Sequence, residues 1–87
     1  MLIRFSGPFE KLAGREIHLT LPEPVTLRTL IDRLSGLCDG FRVYAQKQTD
    51  VELYAHIAFI RKGRVLQLDE AVTDEEVLDV LLPATGG

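Results

Sequence analysis

Apolar and polar residues alternate from the first residue. Ile3 and Phe5 fall on one side of residues 1–6, with Arg4 and Ser6 on the other, which is the period of a half-buried strand. Gly7-Pro8 interrupts the alternation, and residues 7–14 read as a loop. The alternation returns over residues 15–21, where Ile17, Leu19 and Leu21 oppose His18 and Thr20. Two such runs around a glycine-bounded loop predict an antiparallel hairpin. Pro22 and Pro24 end the second run, because proline has no N–H for a ladder. The period then changes. Thr26 is a candidate N-cap, and Leu27, Leu30, Ile31 and Leu34 form one apolar stripe of a helix that Ser35-Gly36 should close.

Beyond the helix the pattern weakens. Phe41, Val43 and Tyr44 could anchor a short helix or an irregular segment, and residues 46–50 are polar and expected at the surface. Residues 55–60 are apolar enough for a central strand, Lys62-Gly63-Arg64 supplies a turn, and residues 65–68 make a second short strand. Residues 69–76 read as an acidic loop with Val72 buried, and residues 77–82 as the last strand. A hairpin, a crossing helix and further strands predict an α+β fold, a mixed sheet with one main helix across one face. That arrangement is the β-grasp. Residues 1–82 should form its single domain, and residues 83–87 an extended, flexible C-terminal tail.

Composition narrows the function more than the fold. With 87 residues there is room for one modest core, burying about 60–65% of the unfolded surface. A net charge of −3 provides no basic field for nucleic acid or an anionic membrane, so neither is an expected partner. A single cysteine, Cys38, excludes an internal disulfide, a CxxC pair and a four-thiolate cluster, which points to a reducing, cytoplasmic setting. Cys38 is read as a small buried hydrophobe. No signal-peptide apolar region and no membrane-length apolar run is present. His18 and His56 lack ligand spacing, so no metal site is expected. Nucleotide loops, nucleophile triads and paired catalytic carboxylates are absent from the sequence.

The chemistry then rests on the end of the chain. The last predicted strand runs directly into Pro83-Ala84-Thr85-Gly86-Gly87. A carboxylate becomes an acyl donor only after activation, and activation by ATP takes place inside another protein. A tail without β-carbons can thread a narrow channel, and Pro83 favours an extended exit. Residues 83–87 span at most roughly 17 Å. In the last strand, Leu78 and Val80 should face the helix, which turns Asp79 and Leu81 outward. An outward leucine beside the tail is either a stray surface residue or a partner anchor.

Three stretches carry a family resemblance: Ala55-His56-Ile57-Ala58-Phe59-Ile60, Asp69-Glu70-Ala71-Val72 with Thr73-Asp74-Glu75-Glu76-Val77, and Leu81-Leu82-Pro83-Ala84-Thr85-Gly86-Gly87. On these the chain resembles the small subunit of molybdopterin synthase and the related thiamine-pathway sulfur carriers, which are ubiquitin-like β-grasp proteins. The terminal block is the specific motif. Two turns depart from the family pattern: Arg61-Lys62-Gly63-Arg64 stands where an asparagine-glycine type turn is common, and Asp74-Glu75-Glu76 where the family often has glycine.

The resemblance implies a co-substrate instead of an enzyme, with no cofactor bound and ATP used by its activating partner. A ubiquitin-activating-type adenylyltransferase would adenylate Gly87, with Gly86 beside it. Sulfur would convert the end to a thiocarboxylate, and a synthase resembling the large molybdopterin synthase subunit would accept the sulfur. Leu81, Leu82, Pro83, Ala84, Thr85 and Phe59 are the implied partner contacts, with Ile57 as an alternative to Phe59. Other readings are a carrier for thiamine thiazole or another pathway, a ubiquitin-like protein modifier, and a non-catalytic β-grasp interaction domain.

Overall fold

A computed structural model describes residues 1–83. Its strands are β1 (Leu2–Phe5), β2 (Glu16–His18), β3 (Val25–Thr26), β4 (Ala58–Arg61), β5 (Arg64–Val65), β6 (Ala71–Val72) and β7 (Val77–Leu81). The helices are α1 (Pro8–Ala13), α2 (Leu27–Leu37), α3 (Arg42–Ala45) and α4 (Asp50–Tyr54), with a 3-10 turn at Asp39–Phe41. Five strands make one sheet in the order β2-β1-β7-β4-β5, and β3 pairs with β6 in a second, two-stranded sheet. β7 lies parallel to β1 and antiparallel to β4. The mixed sheet with a helix across one face is the arrangement expected from the sequence.

Helix α2 follows directly from its residues. Thr26 accepts from the Thr29 N–H at 3.2 Å, as an N-cap should. Leu27, Leu30, Ile31 and Leu34 are all buried. They pack on Ile3, Phe5, Phe59, Leu78 and Val80 in one continuous core. The helix runs on through Ser35-Gly36 to Leu37, and Cys38 leaves it in an extended conformation at φ −137°. Cys38 is half-buried against the core, not fully enclosed.

Several sequence expectations are corrected by the backbone. Residues 8–13 form a helix where a loop was expected. Pro8 occupies its first turn, where a missing N–H costs nothing, and Phe9 is buried beneath it. Residues 55–57 do not begin β4. The N–H groups of Ala55, His56 and Ile57 donate to Val51, Leu53 and Leu53 carbonyls, so they extend α4 and are unavailable to the sheet. The short strand expected at 65–68 shrinks to Arg64–Val65. The Leu66 N–H still reaches Phe59 O at 2.8 Å, but the Leu68 N–H goes to the Asp50 carboxylate at 2.7 Å. Strand β2 covers only Glu16–His18, and the last strand ends at Leu81, one residue early. The acidic segment 69–76 contains β6, with Val72 fully buried as expected.

The weakly patterned middle of the chain closes the core. Phe41 is fully buried, 5.6 Å from Phe5, 6.5 Å from Phe9 and 5.9 Å from Tyr44 between ring centroids. Four aromatic rings therefore join β1, α1, the 3-10 turn and α3. Phe41→Ala should cost about 3–5 kcal/mol of unfolding free energy in urea denaturation. Val51→Ala, at a residue that is 83% exposed, should stay within about 0.5 kcal/mol.

Two carboxylates fix the loops of the second half. Glu70 accepts from Arg64 at 2.6 Å and from the Gln67 N–H at 2.7 Å, and these bonds hold its carboxyl below the ordinary 4.5. Asp74 accepts from the Leu21 N–H at 2.8 Å and from the N-terminal ammonium, which hold it below 3.8. Both folded values are depressed, so the unfolded chain takes up protons first. The stabilisation is complete above the unfolded values and disappears as pH falls through the folded ones. The melting temperature should therefore drop as pH is lowered from about 5 to about 3. Glu70→Gln should flatten part of that slope in thermal circular dichroism.

Candidate functional site

Strand β7 is bonded on both flanks, so its side chains have fixed faces. Leu78 and Val80 are buried under α2, while Asp79 and Leu81 are on the opposite face and half-buried. The outward placement of Leu81 agrees with strand alternation. The register sets its neighbours. Ala58 is opposite Leu81, Ile60 opposite Asp79, and Val65 opposite Ile60. Ala58, Ile60, Val65 and Leu81, together with Tyr54, Gln67 and Pro83, line an open groove of about 560 Å³. The chain reaches Pro83 at the edge of this groove. Leu82 beside it is 54% exposed.

The other half of the same face is charged. Arg4, opposite Asp79 on β1, donates to its two carboxylate oxygens at 2.8 and 3.1 Å. Glu16 lies across from Arg4 on β2. The outer face thus divides along β7, with an apolar side over β4–β5 and a polar side over β1–β2.

Phe59 does not belong to this surface. It is fully buried opposite Val80, on the helix-facing side, and Ile57 is buried as well. The reason is parity: Ala58 and Ile60 share the outer face with Leu81, so Phe59 between them must point inward. Of the expected contacts, Leu81, Leu82 and Pro83 lie together at the chain exit. Ala84, Thr85, Gly86 and Gly87 lie outside the described residues.

Tyr54 and Val65 were missed in the sequence. A signal for Tyr54 existed, since Thr49-Asp50-Val51-Glu52 is a capping box. The Thr49 hydroxyl accepts from the Glu52 N–H at 3.2 Å and donates to its carboxylate at 3.2 Å. This box starts α4, and α4 brings Tyr54 to the groove. The Tyr54 hydroxyl is buried without a hydrogen-bond partner among the described residues. Burial, then the nearby Asp50 and Glu70 carboxylates, push its pKa up to about 12.

Among the described residues, no group of three or more His, Cys, Asp or Glu side chains could hold a metal ion. No described helix is long and apolar enough to cross a membrane.

No protein-family model matches the sequence, and no curated protein matches it. Solved structures do. A putative molybdopterin converting factor, subunit 1, from Pyrococcus furiosus superposes with a TM-score of 0.77, at 24% identity over 95% of both chains. SAMP1 from Haloferax volcanii gives a TM-score of 0.74, at 25% identity over 99% of this chain and 97% of that one. The fold is the ubiquitin-like β-grasp. The family resemblance read from residues 55–87 thus has a structural counterpart that spans nearly the whole domain.

The orphaned hydroxyl makes a test of the groove's construction. An unpartnered buried hydroxyl costs about 1–3 kcal/mol. Tyr54→Phe removes it and keeps the ring, so the variant should melt at a higher temperature than the parent in calorimetry.

Proposed function

We propose that this protein is a sulfur carrier of the molybdopterin-synthase small-subunit type, with Gly87 as its working group. The observation that carries the reading is the position of β7. β7, held on both sides, ends at Leu81, and Gly86-Gly87 follows within six residues of the sequence; on this reading that pair supplies the carboxyl group. The likeness to a putative molybdopterin converting factor, subunit 1, over 95% of both chains supports the same reading.

The chemistry is an acyl activation followed by a displacement. A carboxylate oxygen of Gly87 attacks the α-phosphorus of ATP held by an adenylyltransferase, and pyrophosphate leaves. Hydrosulfide then attacks the acyl carbon of the adenylate and expels AMP, which leaves a thiocarboxylate. The domain contributes no catalytic group. It contributes recognition: the apolar groove of Ile60, Val65, Leu81 and Pro83 gives the adenylyltransferase, and later a sulfur-accepting synthase, a surface beside the tail. The dithiolene of the molybdenum cofactor is the proposed destination of the sulfur.

The protein would be incubated with the adenylyltransferase of its own genome, ATP and sulfide, and its intact mass measured. The expected product is heavier by about 16 Da, sulfur replacing oxygen. Removing Gly87 should abolish the gain. A ladder of lysine adducts in place of the small shift would assign the chain to the modifiers, and an unreactive carboxylate would leave an interaction domain.

A further inference from the structure

The parallel pairing of β1 with β7 determines what surrounds the chain exit. Phe5 is opposite Val80, and the Ser6 N–H donates to Val80 O at 2.9 Å. The chain after β1 therefore turns away at the same end of the sheet as residues 81–83. What it forms there is α1, whose Phe9 lies 6.5 Å from Phe41 and 6.0 Å from Tyr44. On this junction Leu12 rests against Gly40: a Cβ at Gly40 would sit 2.6 Å from Leu12 Cδ2. Glycine there lets the leucine lie flat on the backbone of the 3-10 turn. Leu12 is nevertheless 42% exposed, and Leu82 at the same end is 54% exposed. Neither residue belongs to the buried core or to the groove.

Residues 84–87 follow Pro83 in the sequence and reach at most roughly 13 Å. On the carrier reading, on which this inference rests, a carboxylate on so short a tether meets a nucleotide inside another protein only when that protein closes over the exit end. The rim of its channel then faces the end of the sheet where β7 leaves and α1 begins. We propose that Leu12, seated on Gly40, is a docking contact for the adenylating partner, an ATP-binding protein with an apolar rim around the channel that admits the tail. Leu12 and Leu82 meet this rim at the end of the sheet, and the groove meets the partner on its face. Leu12 acts as a specificity-determining contact that touches no reacting atom.

The test compares Leu12→Glu with Val77→Glu. Val77 is another exposed apolar residue, 43% accessible, at the opposite end of β7 where it pairs with Leu2. The readout is ATP–pyrophosphate exchange catalysed by the adenylyltransferase of the same genome, with melting temperatures measured in parallel. Leu12→Glu should raise the KM for the carrier by about tenfold or more at unchanged kcat, as loss of a docking contact does. Val77→Glu should stay within about twofold. If Leu12→Glu lowers the melting temperature, Leu12→Gln is judged on the same criteria. A KM for the Leu12 variant within about twofold of the parent, or an equal rise in both variants, overturns the proposal. Absence of exchange with the unaltered protein overturns the carrier reading and this contact together, an outcome distinct from either of those.

Discussion

The two-sided hydrogen bonding of β7 is the constraint on which the rest of the molecule depends. With β1 parallel on one flank and β4 antiparallel on the other, β7 can neither rotate nor slip by one residue without exchanging its two faces. Leu78 and Val80 are thereby committed to the core under α2, and Asp79 and Leu81 to the outside. The direction of the chain at Pro83 follows from the same pairing. On the proposed carrier reading this matters, because a reactive terminus would be useful only if the body behind it can be gripped in a defined orientation.

The parallel half of that pairing has a further consequence. A parallel neighbour cannot be joined by a tight hairpin, so the whole intervening chain has to cross back between β1 and β7. Helix α2 makes the crossing and buries its stripe on the sheet. The aromatic cluster of Phe5, Phe9, Phe41 and Tyr44 then closes one end of the core, where α1 and the 3-10 turn meet. The ion pairs of Arg61 with Glu76 and of Arg64 with Glu70 tie down the loops of the second half.

Much of the candidate site was legible from alternation alone. The inward Leu78 and Val80, the outward Leu81, the stripe of α2 and its Thr26 cap all follow from local period and capping chemistry. The errors came where local rules compete. Gly7-Pro8 ends one strand, but it equally opens a helix, because proline is well tolerated in a first turn. Residues 55–60 are mostly apolar and fit a strand, yet the capping box at Thr49 had already started a helix that holds their first N–H groups. Phe59 was placed on the surface because a run of apolar residues carries no parity of its own.

The amino-acid sequence by itself determined the order of the main elements, the α+β class, the face that each strongly periodic segment buries, and the Gly86-Gly87 pair on which the proposed carrier reading rests. These depend on nearest neighbours, on period and on the missing β-carbons of Gly86 and Gly87. Tertiary structure alone decided the register of β4 against β7. It also decided the union of Tyr54, Ala58, Ile60, Val65 and Leu81 in one groove, and the seating of Leu12 on Gly40. Those are contacts between residues far apart in the chain, and no local period encodes which distant partner a side chain will meet.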